Sequence, residues 1–333
     1  LFKIMKQYYF QSVYYSKKLL SRINFFLLFC LLPINAYGTE IFFIEKGSAV
    51  IGDVKKIKVS GFETVADIAN RYKAGFQDLL IANQDSHHWT PEENSEYIIP
   101  SMYILPEENY NGIILNLAEL RMYFYIPGSD LYENSKVITL PVGIGRLDWK
   151  TPLGETFIKT KVKNPTWYPP KSIILEHEER GESLPREVKS GPDNPLGDFA
   201  LKLNVDGGYL LHGTNKKYGI GMMVSHGCVR LRNEDIKLIY YNSYIGTKVK
   251  IINAPIKLGV HKDHLYMEVH AFNNKEVYSN NIENLLTTEN ISKPITHVMN
   301  FLTKNPDFLI NWKSVLKAYE ESSGIPVIIG KRR

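Results

Sequence analysis

Between residues 110 and 253 the chain is written as short apolar runs separated by glycine, proline and aspartate turns, a period that strands satisfy and helices do not. Residues 112–117 and 120–126 predict a hairpin, 136–142 a third strand, and 157–162 alternates polar with apolar. Residues 201–205, the turn Asp206-Gly207-Gly208 and residues 209–212 predict a second hairpin, which delivers His212 at a strand end. Asn233 is suited to cap one helix, with Glu234 and Asp235 at its positive end, before 248–252 returns as a strand. With so little helix the segment must fold as a mainly β domain. Residues 163–198 interrupt it as a long proline-rich irregular stretch, and long loops inside a compact domain usually carry function.

Upstream the period changes. Lys56-Ile57-Lys58-Val59 reads as a strand, Thr64 caps a helix with Asp67 reaching back, and Val65, Ile68, Ala69 and Tyr72 share one helical face. A second helix follows at 76–82 and ends at Asn83; after a loop with His87, His88 and Trp89, Tyr97-Ile98-Ile99-Pro100 closes as an edge strand. The order βααβ marks a small separate domain. Beyond residue 254 the pattern weakens to a hairpin at 264–269 and helical traces at 295–302 and 312–319, a poorly defined region in which His297 reads as a surface residue.

The formal charge of +5 is confined to one end. Residues 1–38 hold Lys3, Lys6, Lys17, Lys18 and Arg22 and no acid, so the remainder is neutral and nucleic acid has no electrostatic support as a partner. Basic residues up to Arg22, the apolar run Phe25-Phe26-Leu27-Leu28-Phe29-Cys30-Leu31-Leu32 and the small residues of Ala36-Tyr37-Gly38 together read as a secretory signal cleaved after Gly38. Removing it leaves Cys228 as the one thiol of a protein exported to an oxidising compartment, where cysteines normally pair.

That thiol sits in Ser225-His226-Gly227-Cys228-Val229-Arg230-Leu231, shortly after His212-Gly213. A thiol is a strong nucleophile only as the thiolate, and His212 or His226 can supply the base. Gly227 allows a tight turn whose N–H groups can face a developing oxyanion. The pattern points to acyl transfer. Two other uses stand beside it: a small buried hydrophobe, and a zinc ligand, for which His212, His226 and Cys228 make three of the four ligands needed, with no fourth nearby.

His212-Gly213-Thr214, Gly219-Ile220-Gly221 and the run from Ser225 to Asn233 resemble the catalytic motif of the L,D-transpeptidases, the YkuD-type domain. The likeness extends to Pro141-Val142-Gly143-Ile144-Gly145, Thr151-Pro152-Leu153-Gly154 and Gly191-Pro192-Asp193-Asn194-Pro195-Leu196-Gly197. Thr64-Val65-Ala66-Asp67-Ile68-Ala69, with Ala82-Asn83 and Ile99-Pro100, resembles a LysM module, a binder of N-acetylglucosamine polymers. Together these imply a signal at 1–38, a LysM-like peptidoglycan-binding domain at 39–101, a β-sandwich-like catalytic domain at 110–254 and an extension of unknown role at 255–333, in the manner of the periplasmic Gram-negative branch.

The resemblance further implies a two-step acyl transfer. Cys228 attacks the diaminopimelate carbonyl of a donor tetrapeptide, D-alanine leaves, and an amine takes the acyl group. His212 is then the general base and acid, oriented by the Gly213 carbonyl, and the Gly227 and Cys228 N–H groups form the oxyanion hole. His226 and Ser225 support the loop, with a direct role for His226 on the thiolate as the other option. Arg230 binds a stem carboxylate or else ties the loop to the chain's own carbonyls; Trp167 and Tyr168 lie over the donor stem or else pack onto the core. No metal or organic cofactor is expected. The partners are peptidoglycan stem peptides and glycan, with a second stem or an outer-membrane lipoprotein as acceptor. A hydrolase on the same scaffold and a non-catalytic peptidoglycan binder are the competing functions.

Overall fold

One continuous strand of 10 residues, Gly154–Lys163, carries the bend on which the architecture turns. Its first part pairs with Lys248–Ile252 and its second with Phe199–Leu203, and the register shifts between Ile158 and Thr160 where the partner changes. An irregularity of this kind kinks and twists a strand, so the sheet curls over. The computed structural model describes residues 41–107, 110–126, 136–146, 151–270 and 288–333. The expected signal segment lies outside them. Among the described residues no helix is long and apolar enough to cross a membrane.

Nine strands make up the curled sheet, in the order Ile41–Phe43, Lys136–Pro141, Arg121–Tyr125, Gly112–Asn116, Lys248–Ile252, Gly154–Lys163, Phe199–Leu203, Leu210–His212 and Val229–Arg230. Neighbours run antiparallel except Lys248–Ile252 on Gly112–Asn116 and Leu210–His212 on Val229–Arg230. The curl brings the last strand back to the second: Gly143 and Arg230 exchange backbone hydrogen bonds of 2.9 and 2.7 Å. Ile113, Leu115, Met122 and Phe124 from one half of the sheet thus pack against Leu201, Leu211 and Val229 from the other. The protein is mainly β.

Six helices are numbered α1 (Val65–Arg71), α2 (Phe76–Ala82), α3 (Lys171–Glu179), α4 (Asn233–Asn242), α5 (Thr288–Leu302) and α6 (Trp312–Glu321). Helices α1 and α2 stand between the antiparallel strands Lys55–Lys58 and Glu96–Ile99. Thr64 and Asp67 form a reciprocal capping box on α1. Asn83 clamps the end of α2 to the returning strand, donating to Leu79 O and Ile98 O and accepting from Ile98 N.

This βααβ unit is fastened to the sheet. The first N–H groups of α2, on Phe76 and Gln77, donate to Ile220 O and Gly221 O. Buried Arg232 donates to Ala69 O, Lys73 O and Ala74 O at 3.1, 3.3 and 2.8 Å. Gly221, at φ +77°, passes so close to α2 that a Cβ there would lie 2.5 Å from Gly75 Cα, which only glycine accommodates. The segment joining His212 to Cys228 is therefore walled by the small domain.

Three expectations are corrected. The stretch 163–198 is not wholly irregular: it contains α3, none of whose residues is buried, so it has no apolar stripe for periodicity to detect. Asn233 is the first residue of α4 rather than its cap, and Arg232 takes the cap position. The C-terminal region is not poorly defined. Ile256–His261, His264–Val269, Val327–Arg332 and Phe308–Ile310 form a four-stranded antiparallel sheet in that order, packed with α5 and α6 around Leu265, Met267, Val298, Val315 and Ile329. The last strand inserts between two earlier ones, a non-local pairing that a local pattern does not carry.

A buried ionic cluster ties this region to the curled sheet. Lys257, 5% exposed, donates to Ile104 O, Glu119 and the Tyr123 hydroxyl at 2.6 to 2.9 Å and pairs with Glu268 at 2.9 Å. Glu268 also accepts from Ile104 N at 2.6 Å and lies 2.6 Å from His270. Burial alone would push the Glu268 carboxyl up, but the Lys257 ammonium and His270 hold it well below its ordinary value. Glu119, Glu268 and His270 bring ligand atoms within 4.8 Å of one another, as a metal site would, but the cation among them is Lys257.

Candidate active site

The parallel pairing of Leu210–His212 with Val229–Arg230 builds the site. Leu211 faces Val229 and His212 faces Arg230 in register, with Leu211 and Val229 in the core. Because strand side chains alternate, His212 and Arg230 project from the opposite side of the sheet, and Cys228 lies in the bend just before the strand of Arg230. The Leu210 backbone, two residues before His212, hydrogen-bonds Cys228, so the thiol lies against the strand that carries the imidazole.

His212 is buried at 4% exposure, and its Nδ1 lies 2.6 Å from Gly213 O. A carbonyl only accepts, so Nδ1 carries the proton and Nε2 has the free lone pair of a neutral ring. Burial lowers the His212 pKa to about 4, against the Gly213 hydrogen bond, and Arg230 adds to the lowering. Cys228 is half-buried and free of any disulfide, and burial raises its pKa, opposed by the Leu210 backbone and Arg230. Thiol and imidazole are therefore both neutral at rest. Proton transfer between them would accompany attack rather than precede it.

A stability consequence follows from His212. The unfolded imidazole takes a proton near pH 6.5, while the folded one resists until about pH 4. Stability is therefore complete above the unfolded value and falls as pH drops through this window, by on the order of 3 kcal/mol if His212 alone is counted. Thermal melts at pH 7 and pH 4.5 are expected to differ less for His212→Gln than for the wild type; equal differences would place the imidazole in a charged state.

The Cys228 turn is tied down from several sides. Gly227 has φ +100°, a left-handed-side conformation that favours glycine. Ser225 Oγ donates to Cys228 O at 2.5 Å and accepts from Gly227 N at 3.2 Å, and Thr151 Oγ1 donates to Gly227 O at 2.9 Å. The Gly227 N–H, expected as an oxyanion donor, is thus turned onto Ser225; among the described residues the Cys228 N–H has no such acceptor. Gly213 and Gly197 press on the Asn233 side chain so closely that a Cβ at either would lie 2.1 Å from its Oδ1.

His226 meets residues the sequence analysis missed. Its Nε2 lies 2.5 Å from Glu176 Oε2, and Glu176 accepts a bidentate pair from Arg146 at 3.1 and 3.0 Å. Arg146 and then His226 hold the Glu176 carboxyl down to about 2. Nothing local announces Glu176: it lies on α3, 30 residues from Arg146 and 50 from His226. Asn194 was within reach, since it stands in the quoted Gly191 to Gly197 motif. It is fully buried and donates to Pro165 O, Val188 O and Lys189 O, gathering the long loop.

The remaining candidates separate. Arg230 is half-buried and its guanidinium has no hydrogen-bond or ion-pair partner among the described residues; tying the chain to its own carbonyls is done by Arg232 instead. Trp167 is half-buried and exchanges backbone hydrogen bonds with Val188, while Tyr168 is exposed.

Residues 110–251 match the family model of the L,D-transpeptidase catalytic domain, YkuD. The chain is 33% identical over 318 residues to the probable L,D-transpeptidase ErfK/SrfK of Salmonella typhimurium, covering 94% of this chain and 98% of that protein. It is 43% identical over 216 residues to the probable L,D-transpeptidase YcfS of Escherichia coli, covering 64% and 66%. To the probable L,D-transpeptidase YbiS of the same species it is 39% identical over 228 residues, covering 67% and 72%.

Proposed function

The chain belongs to the L,D-transpeptidase family, and from that premise we propose that it transfers peptidoglycan stem peptides through a Cys228 thioester. Cys228 Sγ attacks the diaminopimelate carbonyl of a donor tetrapeptide while His212 Nε2 takes the thiol proton. The bond to D-alanine then breaks and His212 returns that proton to the leaving amine. An acceptor amine attacks the thioester, its proton passes through His212 to the departing thiolate, and the enzyme is restored. The Cys228 N–H is the oxyanion donor in this conformation. Arg230, a guanidinium with no hydrogen-bond or ion-pair partner among the described residues, is offered to a stem carboxylate.

The observation that carries the reading is the neutral, buried His212, with Nδ1–H held by Gly213 O and Nε2 unprotonated, on the strand whose Leu210 backbone hydrogen-bonds Cys228. Around it, residues 39–101 act as the LysM-like glycan binder, 110–254 as the catalytic domain and 255–333 as an extension; 1–38 is a signal that delivers the enzyme to the periplasm.

The test is mass spectrometry of the products formed from a disaccharide tetrapeptide, with and without a lysine-terminated peptide. Loss of D-alanine with a crosslinked dimer or a lysine adduct is expected and names the acceptor. Tripeptide alone would make the protein a hydrolase, and unchanged substrate a binding protein.

Glycan binding by the small domain has its own test. Phe62 is fully exposed and Trp89 two-thirds exposed, and both stand in loops flanking α1 and α2. Stacking on a sugar face is worth about 1 kcal/mol per ring, so Phe62→Ala and Trp89→Ala should each weaken sedimentation with insoluble peptidoglycan roughly fivefold. Wild-type retention in both would remove these rings from the glycan surface.

A further inference from the structure

We infer that Glu176 is a positioning residue for transfer, acting through His226 to set the Gly227-Cys228 turn. The assignment rests on the Cys228 mechanism proposed above and adds to it a residue from a helix with no local link to the motif. Helix α3 has no buried residue and no side-chain cap, so apolar packing and capping contribute little to its attachment. Among the described residues the Glu176 carboxylate joins it to the Cys228 turn. Glu176 takes Arg146 Nη1 and Nη2 on its two oxygens at 3.1 and 3.0 Å, and Oε2 also receives His226 Nε2 at 2.5 Å. A carboxylate at neutral pH only accepts, so the proton of the shared bond is on His226 Nε2, which fixes that ring's orientation.

Arg146 is itself anchored at the turn: its backbone N–H donates to Ser225 O at 2.9 Å. The pair Arg146–Glu176 therefore grips residues 225 and 226 immediately before the glycine whose φ of +100° aims the Cys228 N–H and thiol. Ser225 and Thr151 hold the other side of the same turn. With Glu176 removed, His226 loses the acceptor that fixes its ring, and the turn gains freedom where reacting geometry is least tolerant of it. Misplacement by about an ångström costs up to about 100-fold in rate.

The experiment measures acylation of Cys228 by a carbapenem in wild type, Glu176→Gln, His226→Gln and the double variant, with rate constant and apparent affinity determined separately. Alkylation by iodoacetamide and thermal melts accompany each. Glu176→Gln is expected to lower the acylation rate constant between about 10-fold and 100-fold while affinity changes less than about twofold, because the residue touches no substrate. Alkylation should persist, since that small electrophile needs no oxyanion donor. If Glu176 acts through His226, the double variant should be no slower than the slower single variant. Additive losses, a wild-type rate in Glu176→Gln, or a rate loss that tracks a collapse in melting temperature would each overturn the assignment. A wild-type protein that forms no adduct would overturn the Cys228 mechanism itself, a separate and distinguishable failure.

Discussion

Cys228→Ala should leave a folded protein that neither releases D-alanine nor forms a crosslink, with turnover reduced by at least about 10⁴-fold. The substitution removes the one atom that can form the thioester, and no neighbouring side chain can substitute: Ser225 Oγ is committed to the backbone of Cys228 and Gly227. Half-buried as it is, the thiol contributes about 1 kcal/mol or less to stability, so the melting temperature should move by only a few degrees. Product mass spectrometry beside thermal denaturation checks both halves. Residual turnover within tenfold of wild type would transfer the chemistry to another group, whereas loss of activity with loss of fold would make Cys228 a core residue.

Lys257→Met is expected to produce the largest stability loss of any charge deletion in the described residues. It leaves Glu119 and Glu268, both fully buried, without the ammonium that lies 2.9 Å from each. Stranding buried charges in this way costs about 3–5 kcal/mol, or roughly 10 °C in a chain of this size. Lys56→Met is the control, because Lys56 and Glu96 form an exposed pair at 2.6 Å and such pairs are worth less than about 1 kcal/mol. Equal melting temperatures for the two variants would show that the carboxylates protonate or hydrate at little cost. The cluster also explains how 255–333 is attached: Lys257 and Glu268 come from the C-terminal sheet, Glu119 and Tyr123 from the curled one.

The two residues on which the proposed transfer turns were legible for a local reason. His212 and Cys228 sit in short runs with glycines at set spacings, and each run folds as a strand end or turn that its own residues dictate. The capping box at Thr64 and Asp67, the hairpin of Gly112–Asn116 with Arg121–Tyr125 and that of Phe199–Leu203 with Leu210–His212 were legible on the same ground. Helix α3 was not, because an exposed helix leaves no periodic trace. The C-terminal sheet was not either, because its order depends on a final strand inserting between two earlier ones.

The sequence by itself determined the mainly β character, the βααβ order of the small domain and the residue types available for acyl transfer, all consequences of side-chain period and turn chemistry over a few neighbouring positions. Only the tertiary structure decided what those residues face. It buried His212 until its imidazole is neutral, turned Gly227 onto Ser225, left the Arg230 guanidinium without a partner among the described residues while Arg232 took the carbonyls of Ala69, Lys73 and Ala74, and brought Glu176 and Arg146 to His226. Burial and ion pairing are set by groups tens of residues apart along the chain, and no local pattern encodes which of them will meet.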